Sequence, residues 1–374
     1  MASTRWLVVL MLWLLPWLQM VKSGFSVQRY SSNKNWGSVV IPKDGVYLIS
    51  VIIDPFLGSN MTLPLYCQCQ GKERFFFSAH GEAIYSHAEV ATALRKNDKV
   101  FLKKTGETIE AASSLSVVYV GELNSFYITV MNGLFWSDKN PVQYTSQLTP
   151  NGWTPLKDPV TQTTFTVSTT GMYWVTARAK PYEKPITMTV RIGSNDLFKV
   201  FAEKARSVSA SGAFYLKSGS KIQAVTQGGV IYEPQTLLSA VYLAGNKKPN
   251  TYPFEHLAFT AELDSTRRVV AKEVLQFKHV LTDYGYIYVD GYTEIRRTGS
   301  YMISARPDPQ SASIVIMTLY VNGKFCWGLY AEEGVPVGAT ISLSLQAGSY
   351  LEVRSRTATT LGSGTMFSIA FIQP

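Results

Sequence analysis

The residues best able to do chemistry in this chain are few. There are four histidines, His80, His87, His256 and His279. His80 and His87 stand seven apart beside Glu82 and Glu89, a grouping of imidazoles and carboxylates that invites a divalent metal. A zinc site needs three or four convergent ligands, and this stretch has no recognised ligand spacing, so it reads as a solvated polar loop. No nucleophile elbow, phosphate loop or paired-carboxylate motif occurs. Gly362-Ser363-Gly364 lacks the strand-to-helix context of a nucleophile turn and reads as a hairpin loop. An enzyme needs placed acids, bases or nucleophiles. The expectation is therefore a non-enzymatic protein, with no catalytic, cofactor-binding or metal-ligating set.

The cysteines are Cys67, Cys69 and Cys326. On a predicted strand, Cys67 and Cys69 point to one face. A bridge between them would close a strained ring inside an extended segment, so both are expected as buried, unbridged thiols. The odd count leaves at least one thiol buried, reactive or paired between molecules. Asn60-Met61-Thr62 is the one Asn-x-Ser/Thr sequon. It follows Gly58-Ser59 in a predicted loop before a strand, a suitable place for a glycan on a secreted glycoprotein.

The elements that must position these residues are set by a stretch spelled three times. Gly45-Val46-Tyr47, Gly171-Met172-Tyr173 and Gly299-Ser300-Tyr301 each open an alternating segment that runs to a proline: Pro55, Pro181 and Pro307. The glycines are 126 and 128 residues apart, and the prolines 126 and 126. That period is far longer than a solenoid repeat and describes a whole domain. Other landmarks keep the register: the strand-ending glycines Gly71, Gly193 and Gly323, and the turn residues Asp98, Gly219 and Gly348. Many short alternating strands with Gly, Pro, Asn and Asp between them predict an antiparallel sandwich or jelly roll. Helical signal is thin; residues 89–96 are the best candidate, at a marginal two turns.

Length and composition agree with this division. The 374 residues, 46% hydrophobic, suffice for three domains each burying its own core. Arg5, the apolar run 6–18 and the small residues Val21 and Ser23 predict a signal peptide over 1–23, too short to span a bilayer comfortably. The remaining divisions are 24–123, 124–245 and 256–374, with a linker at 246–255. The formal charge is +9, and loss of Arg5 and Lys22 leaves +7 (9 − 2). The basic residues are scattered, so nucleic acid is excluded as a partner and no membrane span is expected.

The third repeat resembles the complement C1q globular domain, the jelly roll shared with the tumour necrosis factor superfamily. Phe277, Asp283 and Tyr288 fall at the spacing of the family's aromatic signature. Ile295 then stands where that signature has Phe, separated from the Gly299 of Gly299-Ser300-Tyr301 by three residues instead of five. The second repeat supplies the missing spacing with Phe165, Gly171 and Tyr173, and Val39 takes that place in the first. Phe371 matches the closing family strand, with Tyr119 and Tyr242 as its counterparts.

The resemblance implies ten-stranded sandwiches that assemble as trimers. Three tandem copies are then able to make an intramolecular pseudo-trimer from one chain, at an effective concentration on the order of mM; the alternative is three separate beads. Family members often bind calcium near the trimer axis, but no carboxylate cluster can be placed there residue by residue, so no cofactor is expected from this sequence. The function implied is secreted, extracellular pattern recognition in innate immunity, with a protein or glycan ligand. A structural or adhesive component and a cytokine-like receptor ligand are the alternatives. Tyr47, Tyr173 and Tyr301 are expected in the core, with binding carried by loops and exposed sheet faces.

Overall fold

The structure, a computed structural model, describes residues 26–30, 38–53, 60–82, 86–103, 105–106, 114–123, 125, 127–131, 141–149, 152–156, 163–203, 207–231, 236–244, 257–310, 314–331 and 336–373. The predicted signal peptide, linker 246–255 and His256 lie outside these. Every helix or strand among the described residues is a β-strand, and every strand pairing is antiparallel.

The same jelly-roll order occurs three times. Repeat one has a front sheet ordered Ser26–Tyr30, Ser114–Gly121, Gly45–Ile53, Ser86–Leu94. Its rear sheet runs Val39–Val40, Lys99–Leu102, Asn60–Cys69, Lys72–Glu82. Repeat two places Tyr127–Met131, Leu237–Ala244, Gly171–Ala179 and Val208–Leu216 in front, with Thr164–Thr166, Lys221–Gln227, Ile186–Ile192 and Asn195–Ala202 behind. Repeat three repeats the order with Ala258–Glu262, Met366–Gln373, Gly299–Arg306 and Ala339–Leu345 before Tyr292–Glu294, Tyr350–Ser355, Val315–Val321 and Lys324–Ala331. Two more edge strands, His279–Tyr284 and Ile287–Val289, bring its two sheets to ten strands. Tight two-residue turns such as Asn322-Gly323, with φ of 52° and 71°, join paired rear strands.

The thrice-repeated glycine makes room for a ring. A Cβ on Gly45 would meet Tyr119 Cε2 at 2.3 Å, and one on Gly171 would meet Tyr242 Cε2 at 2.5 Å. The tyrosine two residues on packs across that neighbour: Tyr47 on Tyr119, Tyr173 on Tyr242 and Tyr301 on Phe371, with centroids 5.5, 5.2 and 5.3 Å apart. Each of the three tyrosines is fully buried and donates its hydroxyl to the carbonyl four residues back, at Lys43, Thr169 or Arg297. Burial pushes all three phenols up, against the opposing pull of the hydrogen bond that each makes to a carbonyl.

Each Gly-x-Tyr strand is buried on both faces. One face supplies its own sandwich core, with Tyr47, Ile49 and Val51; Tyr173, Val175 and Ala177; or Tyr301, Ile303 and Ala305. The other face leaves its own repeat. Leu48, Trp174 and Met302 hold the same position in the three strands and belong to one buried cluster with Val118, Val241 and Ala370 from the neighbouring closing strands.

Three sequence expectations are corrected here. Residues 89–96 form no helical turns; most lie in the strand Ser86–Leu94, because burial on both faces outweighs a marginal helical propensity. His87 lies in no solvated loop; it is 2% exposed, since its strand faces the other repeats. Cys67 and Cys69 are joined as a disulfide. The strand is contracted there to a Cα–Cα distance of 5.3 Å, inside the range a bridge requires.

Candidate functional site: the shared interface and the outer sheets

At the interface, short hydroxyl side chains take the place of a continuous sheet. Thr129 Oγ1 of repeat two donates to the Ala91 carbonyl of repeat one at 2.6 Å, and the Ala91 N–H donates to Ser239 Oγ at 3.2 Å. Ser239 and Thr129 lie 2.8 Å apart, which closes a loop of three bonds. The same loop joins repeat three to repeat two. Thr260 Oγ1 donates to the Ala213 carbonyl at 2.9 Å, the Ala213 N–H reaches Ser368 Oγ at 3.1 Å, and Thr260 and Ser368 lie 2.7 Å apart. The third contact, between repeats one and three, has Ser116 Oγ 3.1 Å from Ser342 Oγ and Ser50 Oγ donating to the Thr340 carbonyl at 2.9 Å.

One buried carboxylate sits in this interface. Glu89, 1% exposed, accepts the Trp174 indole N–H at 2.7 Å and the Thr176 hydroxyl at 2.5 Å on Oε1. His87 Nε2 lies 3.6 Å from Glu89 Oε2 and 2.9 Å from Ser50 Oγ. Ser50 spends its proton on Thr340, so His87 must donate to it from Nε2. A calcium ion needs six to eight oxygen ligands. Among the described residues Glu89 is the one carboxylate in this cluster, with Oε1 taken by two donors and Oε2 beside His87, so the set falls short of the oxygens that ion needs.

The outer faces of the rear sheets are where the repeats differ. Repeat three carries a cross-strand row of Tyr292, Glu352, Tyr320 and Phe325. Tyr350, on the strand of Glu352, packs edge-on to Tyr292 at 5.9 Å, and Tyr320 packs edge-on to Phe325 at 6.1 Å. Phe325 is 59% exposed and Tyr350 40%. Arg354 lies 4.6 Å over the Tyr320 ring and donates to Glu352 Oε1 at 2.5 Å. Glu352 is 1% exposed, yet its Oε2 has no hydrogen-bond partner among the described residues. Repeat one has a shorter version, Phe101, Tyr66 and Phe75, with Lys103 Nζ 4.5 Å over Tyr66 and 2.6 Å from Glu73. Repeat two has Arg191 bonded to Asp196 and the row Thr189–Lys199 in place of an aromatic platform.

A cavity of about 400 Å³ opens between repeats two and three, lined by Asp196, Lys199, Glu262, His279, Arg306 and Ser363 among others. Burial pushes the Glu262 carboxyl up, against the opposing pull of Arg306 and His279. The Arg306 guanidinium is buried and bridges the two repeats through the carbonyls of Lys199 and Gly364.

The residues singled out from sequence are scattered over the fold. Phe277 and Phe371 lie in the core of repeat three and Phe165 in that of repeat two, while Asp283 lies on an edge strand. Tyr288 stacks on Phe259 at 4.8 Å and accepts the Phe277 N–H. Asn60 is the first residue of the strand Asn60–Cys69, opposite Glu82, a placement one step past the predicted loop. His80 lies opposite Thr62 on the adjacent rear strand, while His87 belongs to the front sheet. The aromatic rows were missed, although alternation along 65–69 already separates inward Cys67 and Cys69 from outward Tyr66.

No family model matches this chain, and no curated relative matches it. Solved structures give only remote likenesses. A tandem CBM22 domain pair from Paenibacillus barcinonensis Xyn10C is 10% identical, covering 66% of this chain and 92% of that one, with a TM-score of 0.18. A triple jelly-roll protein from the turret of an archaeal virus is 10% identical over 95% and 82% of the two chains, with a TM-score of 0.19. A protein of Sulfolobus turreted icosahedral virus is 11% identical over 94% and 90%, with a TM-score of 0.20. At those scores the likenesses carry no argument, and the jelly-roll assignment rests on the strand order. Among the described residues no helix is long and apolar enough to cross a membrane.

Proposed function

We propose that this chain is a secreted, non-enzymatic binding protein whose three C1q-like repeats form one closed body and present their rear sheets to glycan ligands. Support for the closed body is the cluster of Leu48, Trp174 and Met302, one from each repeat, with the hydroxyl loops beside it. The observation that carries the binding reading is the repeat-three platform. It holds exposed Tyr350 and Phe325 around the part-exposed Arg354 and the buried Glu352, whose carboxylate keeps an unused oxygen. Flat rings with phenolic edges offer stacking surface at low entropic cost, and convergent charged groups fix the hydroxyls of a sugar. Pattern recognition in innate immunity follows from this reading as its biological setting.

The test is saturable binding of the purified chain to an array of microbial and host glycans, repeated with Tyr350→Ala and Phe325→Ala. Truncating either ring should weaken binding at least tenfold and leave the folding stability within about 0.5 kcal/mol of the parent, as for exposed positions generally. Binding that is unchanged by both substitutions would remove the platform from the account. Absence of any glycan binding by the parent chain would remove the function.

A further inference from the structure

A second feature lies far along the chain from that platform, at one end of repeat one. Asp98, in the turn before Lys99–Leu102, reaches under the hairpin that ends Asn60–Cys69. Its Oδ1 accepts the Gln70 N–H at 3.1 Å and its Oδ2 the Arg95 N–H at 2.8 Å. Asp98 is 6% exposed, Cys69 3% and Cys67 fully buried. The two sulfurs and an Asp98 carboxylate oxygen all lie within 4.8 Å of one another. No basic side chain among the described residues pairs with this carboxylate. Two sulfurs and a buried carboxylate, held together by a contracted strand and two backbone N–H groups, form a ligand set that the recognition function does not use.

We propose that Cys67, Cys69 and Asp98 form a redox-gated site for one thiophilic divalent cation of the zinc and cadmium class. In the oxidised chain the S–S bond occupies both donors. A phosphine reductant opens the bond: R₃P + H₂O + Cys67–S–S–Cys69 gives R₃P=O and two thiols. The cation then forms two metal–sulfur bonds as two S–H bonds break, and both protons leave to solvent. The Asp98 carboxylate supplies a third ligand, and a water completes four-coordination. A tetrahedral site with metal–sulfur bonds near 2.3 Å sets its sulfurs about 3.8 Å apart, so the two sulfurs, bonded in the oxidised chain, must part before the cation enters. The cation also offsets the charge of two thiolates beside a carboxylate, which burial alone would make costly.

The experiment uses the full chain and Cd²⁺ alone as the probe, before and after phosphine treatment. The reduced chain should take up one Cd²⁺ with a thiolate-to-cadmium ultraviolet band, and two of its three thiols should become protected from alkylation. The oxidised chain should show no band. Cys69→Ser should abolish the band, and Asp98→Asn, which keeps one carbonyl acceptor for the backbone, should weaken binding at least tenfold. Cys326→Ser should change nothing. No band in the reduced parent, a band that survives in Cys69→Ser, or a reduced chain that unfolds and is not recovered by Cd²⁺ would each overturn the proposal.

Discussion

The Trp174 indole N–H of the second repeat donates at 2.7 Å to Glu89 of the first, inside an interface closed to solvent. Trp174 also fills the position held by Leu48 and Met302 in the other repeats, so one side chain supplies both the shared apolar contact and a polar bond. Trp174→Phe keeps most of the apolar contact and removes the donor. It should cost about 2–4 kcal/mol, combining a lost charged hydrogen bond with a small cavity. Urea unfolding followed by tyrosine fluorescence measures this, and a change below about 0.5 kcal/mol would show that the indole bond is not formed.

Thr129 and Thr260 close the equivalent hydroxyl loops. Replacing either by Val preserves shape and deletes one donor to a buried carbonyl. Each substitution should destabilise by about 1–2 kcal/mol, and the pair should lose close to the sum, because they act on different contacts. If the repeats moved as separate beads, both variants would match the parent in thermal unfolding.

Glu262 gives a pH dependence with a defined sign. Its carboxyl is raised in the folded chain by burial, so the native state holds its proton to higher pH than the unfolded state does. Stability from this group is complete below the ordinary carboxylate pKa and is lost as pH rises through the folded value. Glu262→Gln should therefore melt higher than the parent at neutral pH, with the gap closing toward pH 4. A gap that widens on acidification would reverse the assignment.

Cys326 is the one free thiol, half-buried in the rear sheet of repeat three, and burial pushes it up to about 11. At pH 8 only about one molecule in a thousand would carry the reactive thiolate. Alkylation of the native chain by iodoacetamide should be far slower than alkylation of the urea-unfolded chain. Equal rates, or a Cys326-linked dimer on a non-reducing gel, would favour the structural or adhesive alternative.

Much of the architecture was legible because it is written in periodicity. Gly45, Gly171 and Gly299 mark the same strand three times, and alternation at Tyr47, Tyr173 and Tyr301 identifies the core face. What the glycine is for is not legible along the chain, since the ring it accommodates, Tyr119 or Tyr242, lies more than 70 residues away in sequence. The interface was harder to read. Leu48, Trp174 and Met302 differ in type, and only the packing of three sandwiches shows that they share an environment. His87 and Glu89 look like solvent residues in sequence because the surface that buries them comes from other repeats. The platform of Tyr292, Tyr320, Phe325 and Tyr350 depends on register across four strands, and spacing along one strand does not reveal that.

The central claim, that one chain makes a closed three-repeat body, is tested most directly by small-angle scattering with mass determination on the purified chain. A compact particle of this size should have the mass of one chain and a radius of gyration near 20 Å. Three beads in a row would exceed about 30 Å by the same size scaling, and that result, or an obligate multimer, would contradict the account.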